Sequence, residues 1–392
     1  MKRHYFSLLE EYLDAFPCVA ILGVRQCGKT TLLKMLPEKW KIYDLEKISD
    51  HQLISQDPDL FLDLNKTNIA IDESQLFPGL FPALRAAIDA DRSMVGRYVV
   101  TGSSSPDLLN KISESLAGRI GIIELSPLSL PEAYEAPTSV FFDLLATRTR
   151  PEDMPEAMMD KLGPRINSVK IHGHWLKGGY PEPWIRNTAR FHKLWMQNYI
   201  GTYLNRDIVQ LFPGLNHQKY RLFLQMLSNL SGTIINYSHV ARSLGVSQPT
   251  VRDYFTIAHG TFLWRTIPAY EKNATKRIVK HPKGYVRDTG LLHFMLHQYT
   301  LDDLMVHPAM GGSWEALVIE TLIRGLNAKG LHFDYFYYRT GAGAEIDLIL
   351  EGEFGLIPIE IKRSEAVSAR ELRTITDFVN ERKCEYGMVI NA

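Results

Sequence analysis

The sequence predicts an α/β chain that opens with a parallel sheet flanked by helices, continues through a helix-rich middle, and closes with a second, smaller α/β unit. Three observations carry this prediction. Short apolar runs within 18–22, 68–71 and 97–100 lack the alternation of half-exposed strands and match strands buried on both faces of a parallel sheet. In "FHKLWMQNYIGTYLNRDIVQL" at 191–211, and in the two-helix pattern of 236–258, apolar residues recur instead at helical spacing. Past residue 330, strand-like runs return in close succession as "YFYYRTGAGAEIDLIL" and "FGLIPIEIKRS".

The chain has 392 residues, more than one hydrophobic core usually organises, so two or three domains are expected. Hydrophobic residues at 45% and charged residues at 22% match globular usage and exclude a collagenous or disordered class. Lys and Arg total 44 against 44 Asp and Glu, so any surface for nucleic acid has to be a local patch. Cys18, Cys27 and Cys384 are widely spaced and lack a CxxC pair, which argues against a disulfide framework or structural zinc and fits a reducing compartment. The opening "MKRHYFSLLEEYLDAF" carries Glu10, Glu11 and Asp14, which interrupt the apolar stretch of a signal peptide, so an amphipathic helix is expected. No run approaches the roughly 18 apolar residues of a membrane span. No membrane partner and a cytoplasmic location are therefore expected.

The first strand, "CVAIL" at 18–22, runs into "GVRQCGKTTLL" and a helix-spaced segment. Gly23, Gly28, Lys29 and Thr30 satisfy G-x-x-x-x-G-K-[ST], in which glycines let backbone N–H groups wrap a phosphate at a helix N-terminus. The expected ATP contacts are Gly23, Arg25, Gln26, Cys27, Gly28, Lys29, Thr30 and Thr31. Lys29 is expected to reach the β and γ phosphates, and the Thr30 hydroxyl to ligate magnesium.

Phosphate binding alone leaves the magnesium ion and the attacking water unplaced. The next buried strand, "NIAIDES", ends in Asp72, a second metal ligand, and Glu73, which can polarise water as general base. A helix-capping Asp-Glu pair is the alternative reading. "RYVVTGSSS" ends in small hydroxylic residues, of which Ser103 or Ser104 is the candidate γ-phosphate sensor. Arg119, in "SLAGRI" just before the apolar "IGIIEL", is either a charge-stabilising arginine or an ordinary surface one.

The series "GVRQCGKTTLL", "DPDLFLDL", "AIDESQLFPGL", "YVVTGSSSPDLL", "SLAGRI" and "ELSPLSLPE" resembles the AAA+-type predicted ATPases of bacteria and archaea, over about the first third of the chain. The resemblance implies phosphate binding by Gly28, Lys29 and Thr30, magnesium binding by Asp72, catalysis by Glu73, sensing by Ser103 and an arginine finger at Arg119. A finger acting in trans implies a homo-oligomer.

Residues 136–170 read as loops and short helices. "FHKLWMQNYIGTYLNRDIVQL" reads as one long amphipathic helix with Trp195, Tyr199, Tyr203 and Ile208 on its apolar face. "NYSHVARSLGVSQPTVRDYFTIA" has helix-turn-helix spacing, its second helix capped by Ser247 with Pro249 in the first turn. In a DNA binder that helix presents Gln248, Thr250 and Arg252 to the major groove; the same unit also serves as a protein-contact module. The stretch 271–290 holds six Lys or Arg against two acidic residues, so Lys276, Arg277 and Lys280 suit phosphate-backbone contact or else belong to a solvated hairpin.

In the C-terminal stretch, alternation places Glu345 and Asp347 on one strand face and Glu360 and Lys362 on one face of the next, with Glu315 on a helix before them. Oxygen ligands plus a lysine suit metal-dependent phosphodiester hydrolysis, although E-x-K alone also arises on amphipathic edge strands. The ordered series Glu315, Asp347 and "EIK" at 360–362 resembles the PD-(D/E)xK nuclease fold, and the ATPase family above commonly ends in such a domain of uncertain function. The resemblance implies a second magnesium or manganese ion at these carboxylates.

The expected organisation is an AAA+-like P-loop domain at 1–135, a helical lid or linker at 136–215, a winged helix at 216–290 and a nuclease-like domain at 291–392. The expected function is magnesium-dependent ATP hydrolysis coupled to a DNA-engaging C-terminal half that either cleaves DNA or, as a regulator, binds DNA or protein without cleavage.

Overall fold

The computed structural model describes residues 3–103, 108, 112, 114–149, 151–154, 156, 166–271, 281–341, 343–364, 366–369 and 371–392. The chain forms two compact units, the first containing Met1–Leu128 and the second most of the remainder.

In the first unit, β1 (Cys18–Gly23), β2 (Lys41–Asp44), β3 (Ile69–Asp72), β4 (Tyr98–Ser103) and β5 (Ile120–Leu125) form a parallel sheet in the order β2-β3-β4-β1-β5. The unalternating apolar runs end up as expected, with every residue of β1 and β3 buried. Leu22, Ile54, Ile71, Leu84 and Val100 belong to one core. The N-terminal helix Tyr5–Ala15 is amphipathic as expected and buries Tyr5, Leu8 and Leu9. Register brings the carboxyl ends of three strands to one edge of the sheet. Gly23 pairs with Ser103 and Ile71 with Val100, so the turn after β1, the acidic tip of β3 and the end of β4 are neighbours. This is the edge at which open α/β sheets bind ligands.

The second unit holds two smaller sheets. β6 (Thr233–Ile234), β7 (Trp264–Ile267) and β8 (Lys283–Val286) form an antiparallel sheet in the order β6-β8-β7, beside the helices His217–Leu230, Tyr237–Leu244 and Gln248–Gly260. Tyr220, Phe223, Tyr254 and Phe255 interlock between these helices at centroid distances of 4.8–5.6 Å. β9 (Phe333–Arg339), β10 (Glu345–Gly352), β11 (Gly355–Ile361) and β12 (Met388–Ile390) form a mixed sheet in the order β12-β11-β10-β9. The run "YFYYRTGAGAEIDLIL", read as one strand, is two, because Thr340 N–H bonds Ala344 O at 2.9 Å and turns the chain. The helix Met310–Ala328 shares one core with both sheets: Trp314 and Ile319 lie in the same apolar cluster as Ile267, Tyr285, Leu348 and Ile359.

The segment read as one long helix is interrupted. The helix Ala189–Thr202 passes through a π turn at Tyr203–Asp207 into Ile208–Leu211. Tyr199 and Tyr203 are four residues apart but Tyr203 and Ile208 are five, and the wider turn keeps all three buried on one side.

A second tie is ionic. Glu320, on Met310–Ala328, is 3% exposed and receives Arg265 of β7, Arg287 just beyond β8 at 3.4 Å, and Arg324 at 3.2 Å. Burial alone would raise its carboxyl, but the three guanidinium groups hold it far below the usual carboxylate range. Among the described residues, no helix is long and apolar enough to cross a membrane.

Candidate functional site

The turn after β1 needs glycine at two places. A Cβ on Gly23 would come within 2.2 Å of Leu125 O, and Gly28 has φ of +103°, a left-handed backbone that side chains disfavour. Gly28 precedes the helix Lys29–Leu33, whose first backbone N–H groups find no acceptor within the helix. Gln26 is also left-handed, with φ of 60°, and exposed. Arg25 is half-buried, while Thr30 and Thr31 are exposed at the helix start. Cys27 is buried, its Sγ directed to Leu125 O at 3.4 Å.

Lys29 is buried, and its ammonium donates to Gly23 O at 3.1 Å and Val24 O at 3.2 Å. Thr30 Oγ1 donates to Asp72 Oδ2 at 2.6 Å, bringing together the two oxygen groups expected to hold magnesium, one from the helix start and one from the tip of β3. Hard oxygen donors at one point fit that ion. Asp72 is 2% exposed and also accepts from the Thr101 hydroxyl and, at 3.2 Å, from Glu73 N–H. Glu73 has φ of 55° and ψ of 43°, an unusual conformation for a side-chain-bearing residue, at a cost of about 1–2 kcal/mol. It turns the chain sharply after Asp72, and the Gln75 amide holds the Glu73 carboxylate.

Ser103 is half-buried opposite Gly23 at the strand tip, but Thr101, two residues earlier on the same face, makes the hydrogen bond to Asp72. Ser104, the other candidate sensor, lies outside the described residues. Sequence reasoning also missed Arg3, whose guanidinium donates to Cys27 O at 2.6 Å and Ser126 O at 2.7 Å, fastening the phosphate loop to the end of β5. Arg119 sits at the other edge of the sheet: its carbonyl accepts from Cys18 N–H at the start of β1, roughly 17 Å of strand from Gly23. It forks onto Asp89 at 2.7 and 3.0 Å. Arg119 therefore does not reach its own chain's phosphate loop.

In the second unit, the helix Tyr237–Leu244 ends at left-handed Gly245 and Gln248–Gly260 follows, the expected two-helix spacing. Ser247 Oγ accepts from Thr250 N–H at 3.3 Å. Gln248 and Arg252 are exposed and Thr250 half-buried, with the Arg252 guanidinium 4.4 Å from the centroid of Tyr237. Lys276, Arg277 and Lys280 lie outside the described residues.

The C-terminal constellation differs from expectation at its centre. Glu315 and Asp347 do converge, together with Glu345, but on the ammonium of Lys283: Glu345 Oε1 is 2.8 Å away, Glu315 Oε2 3.0 Å and Asp347 Oδ1 3.6 Å. Tyr285 OH donates to Glu315 Oε2 at 2.9 Å, and Asp347 Oδ2 accepts Ile361 N–H at 2.9 Å. Burial would lower the Lys283 ammonium, but the surrounding anionic groups raise it well above its ordinary value, so it stays charged. Glu360 on β11 and Lys362 just beyond it form their own pair at 2.6 Å. Burial, then the Asp347 charge, pushes Glu360 up to about 7 against the pull of Lys362. The expected second magnesium or manganese ion does not fit this arrangement, because a lysine already holds the position between the carboxylates. Among the described residues no group of three or more His, Cys, Asp or Glu is arranged to hold a metal ion.

Comparison with known proteins agrees with the fold. Residues 15–134 match the AAA domain, 169–302 a domain of unknown function (DUF8612), and 310–392 another (DUF4143). The uncharacterized protein Rv2008c of Mycobacterium tuberculosis is 32% identical over 379 residues, covering 95% of this chain and 76% of that protein. The uncharacterized protein MJ1544 of Methanocaldococcus jannaschii is 24% identical, covering 93% and 79%. Among solved structures, the Walker-type ATPase PABY2304 of Pyrococcus abyssi aligns at a TM-score of 0.43 and 15% identity, covering 76% of this chain and 95% of that one. With a relative 32% identical over 95% of its own 392 residues, this chain, which carries an AAA domain at 15–134, belongs to the family that includes Rv2008c.

Proposed function

We propose that the protein binds and hydrolyses ATP with magnesium, and that nucleotide state governs engagement of DNA by the C-terminal half. The 2.6 Å contact between Thr30 and Asp72, beside a buried Lys29, carries the reading. Lys29 exchanges the Gly23 and Val24 carbonyls for the β and γ phosphates, while loop amides around Gly28 bind the remaining oxygens. Thr30 and Asp72 hold the magnesium ion, which when bound neutralises developing charge on the phosphate oxygens. Glu73, steadied by Gln75, accepts the proton of the attacking water, and Ser103 meets the γ phosphate from β4. Arg119 serves the site of a neighbouring copy in a homo-oligomer.

Glu73→Gln keeps the shape of the carboxylate and removes its basicity. ATP affinity is expected to stay within about threefold while turnover falls by roughly 100- to 10,000-fold, read by equilibrium titration and phosphate release. Affinity lost along with turnover would remove Glu73 from the role of base.

For the DNA half, the supporting observation is the exposed Gln248 and Arg252 on the second helix of the two-helix unit. Binding of duplex DNA is expected to weaken steeply with salt and to drop on Arg252→Ala; affinity indifferent to both would leave the unit as a protein-contact module. The Lys283 ammonium among Glu315, Glu345 and Asp347 favours the regulator reading, binding without cleavage, over a nuclease.

A further inference from the structure

We propose that Lys283 is the resident cation of the C-terminal carboxylate cluster and that, while β8 stays in place, this module excludes the divalent metal its fold resemblance implies. Three elements supply the cluster: Glu315 from the helix Met310–Ala328, Glu345 and Asp347 from β10, and Glu360 from β11. Lys283 comes from outside it, on the central strand of the three-stranded sheet. Its side chain is 5% exposed and its Nζ meets Glu345, Glu315 and Asp347 at 2.8, 3.0 and 3.6 Å. Tyr285 OH on Glu315, Arg339 at 3.7 Å from Glu345, and Lys362 on Glu360 complete the polar groups facing it.

A magnesium or manganese ion needs oxygen ligands at about 2.0–2.2 Å, and Glu315 Oε2 and Asp347 Oδ1 turn instead toward an ammonium 3.0 and 3.6 Å away. That ammonium both fills the space between the carboxylates and offsets part of the attraction they would otherwise hold for a second cation. The site is nonetheless built for more than one lysine. Glu360 is 7% exposed, its Oε2 has no hydrogen-bond partner among the described residues, and the β10–β11 register, with Leu348 opposite Ile359, carried one step further sets it opposite Asp347. An orphaned buried carboxylate oxygen beside a second carboxylate marks a place where a cation is one ligand short of binding. Withdrawing Lys283 frees Glu315 and Asp347 to join it. These residues lie outside the nucleotide site, so the inference stands whether or not ATP is turned over there.

The test uses the full chain carrying Asp72→Asn, which removes the acidic ligand of the nucleotide site, with manganese(II) alone as the probe. Bound manganese is followed by loss of the free-ion paramagnetic resonance signal and by the metal-induced rise in melting temperature. Without further substitution, no manganese binding that depends on Asp347 is expected. Lys283→Met is expected to gain one site at least about tenfold tighter than any site of its parent, and to lose it again on Asp347→Asn. Because removing a buried cation lowers stability, Lys283→Met with Glu345→Gln, which restores charge balance while keeping Glu315, Asp347 and Glu360, is measured alongside and is expected to bind likewise. Asp347-dependent manganese binding by the chain that retains Lys283 would overturn the inference. So would the absence of such binding in a folded Lys283 variant.

Discussion

Lys29→Ala is expected to lower kcat/KM for ATP by at least about a hundredfold, since one preorganised cation at the transferring phosphate is lost from a buried position. The fold should survive, because Lys29 contributes two hydrogen bonds to loop carbonyls of the same turn, Gly23 and Val24. Circular dichroism and melting temperature close to the parent, with turnover at background, is the predicted combination. Turnover unchanged in Lys29→Ala would remove the phosphate-loop assignment altogether. The same variant also reports on Arg119. Its subunits keep an intact Arg119, so mixing them with Arg119→Ala subunits, which keep Lys29, is expected to recover part of the activity each lacks if the arginine acts between copies. No recovery at any mixing ratio would return Arg119 to its ion pair with Asp89.

Glu320→Ala is expected to cost the second unit about 3–5 kcal/mol, because it leaves Arg265, Arg287 and Arg324 buried around a missing anion. Chemical denaturation should show the loss as an earlier transition in the second unit. A loss under 1 kcal/mol would mean that the guanidinium groups find other partners. The pH dependence follows from the depressed carboxyl. Glu320 binds its proton less readily folded than unfolded, so its contribution is complete above the unfolded value near 4.5 and is lost progressively as pH falls below it. Glu360 works in the opposite sense, since a folded value of about 7 makes stability fall as pH rises from about 4.5 to 7. Acid should therefore unfold the parent by a route that Glu320→Ala no longer possesses.

What the sequence made legible follows the range of each interaction. The turn from β1 into the helix Lys29–Leu33, and the buried strand that ends in Asp72, were readable because every group sits within a few residues of a strand end, where local geometry dictates residue type. Thr101 was nearly readable, since it shares the alternating face of Ser103, but the choice between the two depends on where Asp72 stands across the sheet. Alternation also put Glu345 with Asp347 and Glu360 with Lys362 correctly. It had no way to reveal Lys283, which lies 62 residues before Glu345 in a stretch whose charge suited solvent or DNA equally well. The π turn at Tyr203–Asp207 left a trace only in the five-residue step from Tyr203 to Ile208, too small to separate from noise in a helical pattern.

The clamp formed by Arg3 has a practical side. The recognisable AAA domain starts at residue 15, yet a guanidinium twelve positions earlier grips Cys27 and Ser126. A fragment trimmed to the matched boundaries would shed that grip together with most of the helix Tyr5–Ala15. Assays of an excised nucleotide domain should keep the opening residues native and carry any handle at the other terminus.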